Sequence, residues 1–280
     1  MRGLTITIIA FTLALSSRAA ENGQRRVETE HLIIEWAEGE SMRAVELAEV
    51  VGEKFYAEVA EMLGYEPPAK VTVLLNGDAE RPDGSWGYPR VDSFARIHLY
   101  RYTSEDDSYF NALAHELVHV FRFGRANKDW FFEEGFAELV ALRVDESLDG
   151  FPWFGFPVDL VAGQWLAGGA GIPLMKLQQD HRALNQPCKA QSYSLRSAFF
   201  DWLATTYGDD TVLEMASEER AGKLKDYKRF FGSGLGELEQ AWETALLAQY
   251  EALENAQALT QQYRRSPIKY QRVCKSGKDF

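Results

Sequence analysis

The residues of this sequence with the clearest chemical potential are the two histidines of an H-E-x-x-H pattern at residues 115–119. On a helix, residues four apart lie on one face, so the imidazoles of His115 and His119 can reach one metal ion. Glu116 projects beside that ion, where its carboxylate can take a proton from water bound to the metal. The pattern predicts a Zn²⁺ site on a helix, with Glu116 as the general base.

Two histidines leave a zinc ion one protein ligand short. The longer pattern H-E-x-x-H-x-x-G-x-x-H, which supplies a third histidine, is excluded because arginine occupies positions 122 and 125. Cys188 is an alternative third ligand, although it lies far along the chain next to a proline. The remaining candidates are glutamates of the apolar segment 129–144, where an unpaired carboxylate would be costly: Glu133, Glu134 and Glu138.

The run E-G-F-A-E at residues 134–138 follows H-E-x-x-H and is preceded by aromatic residues, and in this it resembles the gluzincin zinc metallopeptidases. The likeness is closest to the short bacterial peptidase MA-like proteins. It implies that Glu134 is the third zinc ligand and that Glu138 supports a zinc-bound histidine. The spacing from His119 to Glu134 is shorter than in the zinc aminopeptidases, so the resemblance does not extend to that subfamily. In this register Glu133 is expected to be a solvated carboxylate at the rim.

Hydrolysis of an amide also needs a donor for the oxyanion. Gluzincins usually supply a tyrosine or histidine from further along the chain, and the position that matches here is Tyr193. His181 is the alternative, and an ordinary packing role for Tyr193 stays equally open. The resemblance also implies that the strand before the zinc helix, at residues 97–100, forms the cleft edge that pairs with substrate. His31 and His98 are expected to be structural.

A sheet and several helices must position these residues. Apolar patterns predict strands at residues 31–36, 71–75 and 95–102, and a helix at 41–63 that ends at a glycine. Further helices are predicted at residues 107–123, 130–144, 158–167, 192–206, 209–217, 223–231 and 235–263.

The predicted fold class is α+β. One domain is expected over residues 20–280, with a small mixed α/β lobe at about 25–104 and a mainly helical lobe at 105–280. The zinc helix would lie at the cleft between the lobes, which is the zincin-like arrangement that the resemblance implies.

The first 19 residues predict a cleaved export signal, and therefore a secreted or periplasmic protein. Arg2 precedes an apolar run, and small residues lead to a cleavage site after Ala19. A membrane anchor is the alternative, but the run is shorter than the roughly 20 residues that a spanning helix needs. After export, Cys188 and Cys274 would either form a disulfide or stay free.

The amino-acid composition of the chain limits the kinds of partner that it can bind. The chain has 280 residues, with 42 aspartates and glutamates against 30 lysines and arginines, and its formal net charge is −12. Because a nucleic-acid binder needs a cationic surface, no nucleic-acid partner is expected. No stable membrane span is predicted either.

Taken together, the residues predict a zinc metallopeptidase that hydrolyses a peptide or protein substrate. Two alternatives stay open: a non-catalytic gluzincin-like module that binds a peptide or an envelope partner, and a zinc hydrolase of a non-peptide amide. Glu116 favours an enzyme, because a pure binding module does not need a base.

Overall fold

A computed structural model describes residues 18–19, 24–76, 90–99, 108–123, 129–144, 157–179, 189–218 and 223–255 of the chain. These residues form one sheet and a larger set of helices, which agrees with the predicted α+β class. Several predictions fall outside the described residues: Cys188, Cys274, His181 and the apolar run of the export signal.

The strands are β1 (Arg18–Ala19), β2 (Gln24–Glu28), β3 (Leu32–Ala37), β4 (Val71–Leu75), β5 (Arg90–Val91) and β6 (Ile97–Leu99). They lie in the order β1-β2-β3-β4-β6-β5. The central pairs β3–β4 and β4–β6 are parallel, and the outer pairs are antiparallel. The parallel register places Val73 between Ile34 and Ile97, and all three side chains are buried on the same face.

The helices are α1 (Met42–Leu63), α2 (Ser108–Phe121), α3 (Trp130–Val144), α4 (Val158–Ala167), α5 (Leu174–Gln179), α6 (Lys189–Tyr207), α7 (Asp209–Ser217), α8 (Leu224–Phe231) and α9 (Leu235–Asn255). Helix α1 ends at residue 63 as predicted and begins at Met42, one residue after its predicted start. Gly64 adopts a left-handed φ of 72° and donates its N–H to the carbonyl of Ala60, which closes the helix. No helix in the described part of the chain combines the length and apolar character needed to cross a membrane.

Helix α2 lies at the centre of the packing. It contacts β6 of the sheet, α1 on one side and α3 on another, and α3 in turn packs against α6. Leu113, Leu117 and Val118 are fully buried, as expected of an apolar helix enclosed by its neighbours. The sequence segment with the H-E-x-x-H pattern is therefore held on several sides.

The strand before α2 is shorter than predicted and is not an edge. It begins only at Ile97, because Ala95 has a positive φ of 58° and belongs to the turn after β5. Strand β6 pairs with β4 on one side and with β5 on the other. The prediction that residues 97–100 form a free cleft edge is therefore wrong for residues 97 and 98, and residue 100 lies outside the described part.

Candidate metal centre

Two neighbouring helices bring the three predicted ligands together. His115 and His119 lie one turn apart on α2, and Glu134 lies in the first half of α3. Nε2 of His115 is 3.0 Å from Nε2 of His119. Oε2 of Glu134 is 3.4 Å from the first of these nitrogens and 3.7 Å from the second. The three atoms therefore face one common point.

These distances fit a tetrahedral ion. Ligand atoms placed about 2.1 Å from a tetrahedral zinc ion are about 3.4 Å apart, and the three separations lie on both sides of that value. In the described residues, His115, His119 and Glu134 are the group that could hold a metal ion. Two imidazole nitrogens and one carboxylate oxygen are also a donor set that zinc favours.

A further carboxylate lies behind one of the histidines. Oε1 of Glu138 is 3.1 Å from Nδ1 of His115, on the opposite side of the ring from the common point. A carboxylate in this place favours a proton on Nδ1 and leaves Nε2 free to bind a metal. Since Glu138 follows Glu134 by one helical turn, α3 supplies both a candidate ligand and the support for another.

Tyr193 reaches the same cluster from α6. Its hydroxyl donates a hydrogen bond of 2.8 Å to Oε2 of Glu134. Arg196, one turn further along α6, is fully buried, and its guanidinium carbon lies 4.4 Å from the centre of the Tyr193 ring. Sequence reasoning missed Arg196, although an arginine three residues after the tyrosine on one helix face was a signal for this contact.

Glu116 is buried in the same charged surroundings. Burial raises the pKa of its carboxyl group, and the positive charges of His115 and His119 oppose that increase. This carboxyl group therefore binds a proton more tightly than a solvated glutamate does.

Opposite charges in the cluster act strongly on one another. Burial alone would favour a neutral imidazole, but the charge of Glu138 and the hydrogen bond with Glu134 hold the pKa of His115 well above its ordinary value. Burial likewise favours a protonated Glu134, but His119 and His115 hold the pKa of that carboxyl well below its usual range. In the metal-free chain His115 and these carboxylates thus stabilise each other as opposite charges, and a bound metal ion would take the place of a proton on His115.

The burial of Glu133 contradicts the prediction made for it. It was expected to be a solvated carboxylate at the rim, but it is only 4% exposed and forms a buried ion pair with Arg122. Nε and Nη2 of Arg122 donate to its two oxygens at 2.6 and 2.8 Å. The prediction failed because sequence alone did not show that Arg122, at the end of α2, would meet the start of α3.

The other two described histidines lie in polar clusters of their own. Nδ1 of His31 is 2.6 Å from the carboxylate of Glu53, and Nε2 of His98 is 3.1 Å from that of Asp92. Neither belongs to the group that could hold a metal, which agrees with the structural role expected for both.

Comparison of the chain with models of known protein families finds no match, and neither does comparison with curated proteins. The resemblance to gluzincins therefore depends on the residues of the two motifs.

Proposed function

We propose that this chain is a secreted or periplasmic zinc metallopeptidase of the gluzincin type, closest to the peptidase MA-like proteins and with a zincin-like fold. The observation that carries the proposal is the convergence of two Nε2 atoms and one carboxylate oxygen on a common point, at separations of 3.0 to 3.7 Å. His115, His119 and Glu134 would hold the zinc ion. When bound, zinc supplies a Lewis acid that acidifies water and polarises a carbonyl group.

Glu116 is the proton carrier in this proposal. It follows the ligand His115 on a buried helix, and the charges of both histidines act on its carboxyl group. A carboxyl group with a raised pKa can accept a proton as the nucleophile attacks and return it to the leaving amine. A module that only binds peptides would have no use for this buried acid, which costs free energy to desolvate.

Tyr193 is proposed to stabilise the oxyanion. Its hydroxyl already reaches Oε2 of Glu134, so it lies beside the position where a scissile carbonyl would be bound. To serve an oxyanion, the hydroxyl would turn its one proton from Glu134 to the substrate oxygen.

Glu116→Gln tests the proposal most directly. The amide keeps the shape of the side chain but cannot carry the proton, so we expect zinc binding to persist while peptide cleavage falls by about 10²- to 10⁴-fold. Cleavage would be measured on an unbiased peptide library, together with zinc content by metal analysis. Glu49→Gln is the matched control, because Glu49 is a buried glutamate of α1 and has no role in the proposed site.

The outcomes separate the alternatives. Full cleavage by Glu116→Gln would overturn the mechanism. Stoichiometric zinc with no peptide cleaved by the wild type would favour a hydrolase of non-peptide amides or a binding module. No zinc in the wild type would reject the metal centre itself.

A further inference from the structure

We infer that Arg122 and Glu133 are positioning residues that set the register between the two helices that carry the metal ligands. The inference rests on the proposed function only as far as zinc binding. Arg122 lies three residues after His119 at the end of α2, and Glu133 immediately precedes Glu134 on α3. The ion pair thus joins the two chain segments from which His119 and Glu134 extend.

The guanidinium group of Arg122 is held by hydrogen bonds and by contacts with two aromatic rings. Its Nε and Nη2 form a two-pronged ion pair with Glu133, and its Nη1 donates to the carbonyl of Ala216 at the end of α7, at 2.5 Å. Its central carbon lies 5.7 Å from the centre of the Phe132 ring and 5.2 Å from that of Phe136. Both charged side chains are almost completely buried. The ion pair therefore admits little rotation or sliding of α2 against α3.

Stability alone does not require an ion pair here. Desolvation of two charges offsets most of their attraction, so a well-packed apolar pair of similar volume often gives equal or greater stability. A forked ion pair adds direction, because both of its hydrogen bonds form in only one relative placement of the two groups. Zinc sites tolerate deviations of only about 0.2 Å in ligand distance. A contact that fixes the relative placement of the two ligand-bearing helices therefore suits such a site.

A shift of α2 against α3 would affect most strongly the ligand pair His119 and Glu134. Their atoms are separated by 3.7 Å, the longest of the three distances in the cluster. His119 is also the least buried of the three, with 18% of its side chain exposed. It has fewer packing contacts to hold it in place if the helices shift, whereas His115 also has Glu138 behind it.

The decisive experiment compares zinc affinity with stability in the double variant Arg122→Met with Glu133→Met. Two methionines of similar length replace the ion pair by apolar contacts, so we expect the metal-free protein to stay folded, with an unfolding temperature somewhat below that of the wild type because the carbonyl of Ala216 loses its donor. We expect its zinc dissociation constant to rise by about tenfold, in the range that supporting residues of metal sites show. Affinity would be measured by competition with a chelator at a temperature where all variants are folded.

Two further variants complete the test. Arg122→Lys keeps the positive charge but cannot form the two-pronged ion pair with Glu133, so we expect it to weaken zinc binding as well. This variant replaces the double variant in the test if the double variant does not fold. Glu53→Ala is the control, because it removes the contacts of Glu53 with Thr29 and His31 away from the metal centre. It should lower the unfolding temperature and leave zinc affinity unchanged.

Wild-type zinc affinity in the folded double variant, or in Arg122→Lys if the double variant does not fold, would overturn the inference. This result is distinct from failure of the proposed peptidase activity, since affinity is measured without a substrate. If the wild-type protein binds no zinc, both the metal centre and the positioning role are rejected.

Discussion

The paired helices α2 and α3 carry four glutamates, which are chemically identical but lie in different surroundings. Burial raises the pKa of Glu116, whereas two histidines hold the pKa of Glu134 well below its usual range. Glu138 lies behind a histidine, and Glu133 is neutralised by Arg122. In the proposed function, one residue type would thus serve as a base, a ligand, a support and a structural anion, because the four environments differ.

Replacement of Glu134 tests the third ligand. Among the described residues, Glu134 supplies the carboxylate oxygen at the common point of the cluster. We therefore expect purified Glu134→Ala to lose most of its zinc after dialysis. Glu138→Gln should have the smaller effect of about 10- to 100-fold on affinity, because its carboxylate acts through His115. Metal analysis that finds one full equivalent of zinc in Glu134→Ala would return the third ligand to open question.

Tyr193→Phe tests the oxyanion donor and removes a single hydroxyl. If that hydroxyl stabilises the oxyanion, kcat should fall by about 10²- to 10³-fold while KM and zinc content change little. Steady-state kinetics on a peptide that the wild type cleaves would show the difference. A wild-type kcat would assign Tyr193 to packing and move attention to His181.

The sequence was sufficient to predict which residues gather at the candidate site, because H-E-x-x-H and E-G-x-A are local patterns on helices. It was insufficient for contacts that depend on how helices meet. Arg122 was recognised only as a departure from another motif, and Glu133 was expected in solvent. Their ion pair forms between separate helices, and no periodicity within either helix specifies it.

At the scale of elements, α3 and α6 approach closely at a glycine. A Cβ on Gly135 would lie 2.5 Å from Cε2 of Phe200, far inside the contact distance. The same approach brings Tyr193 of α6 to Glu134, the neighbour of this glycine. Gly135 therefore serves the site by admitting an aromatic ring where any side chain would separate the helices.

Gly135→Ala should destabilise the protein even though alanine favours helices. The gain in helix propensity is at most about 1 kcal/mol, and the clash with Phe200 should exceed it for a net loss of about 1–3 kcal/mol. Gly236→Ala in α9 is the control, because its Cβ would meet no atom within 4 Å. Denaturant unfolding of both variants would check this prediction. An unchanged midpoint for Gly135→Ala would contradict it and would show that α6 moves to accommodate the added methyl group.

Element prediction succeeded where local signals were strong. Helix α1 was predicted from its apolar spacing and its terminal glycine, and β4 from a continuous apolar run. The polar strand β2 (Gln24–Glu28) was missed, because its pairing with β3 rather than its own composition places it in the sheet. Helix α5 (Leu174–Gln179) is too short for a periodic pattern to reveal it.

At the scale of the whole molecule, the partly buried carboxyl group of Asp159 makes stability depend on pH. Burial and the charge of Asp201 raise the pKa of Asp159 to about 6 in the folded chain, whereas an unfolded aspartate has a pKa near 3.9. Because the folded state binds this proton more tightly, the contribution of Asp159 to stability falls as pH rises from about 4 to about 6.

Asp159→Asn should therefore stabilise the protein at neutral pH and not at pH 4. The shift corresponds to about 3 kcal/mol, and partial solvent exposure reduces the expected gain to about 1–2 kcal/mol. The amide oxygen can still accept the hydrogen bond from Gln249. Unfolding free energies of both proteins across this pH range would check the prediction, and a gain that is equal at both pH values would contradict it.

The order of the site residues along the chain has a consequence for the assembly of the candidate site. The three candidate ligands lie on consecutive helices within residues 115–134, whereas Tyr193 lies 59 residues beyond Glu134. Contacts between near neighbours in sequence form at a lower entropic cost than distant ones. For the proposed metallopeptidase, we therefore expect the three ligands to come together at a lower entropic cost than the contact of Tyr193 with Glu134.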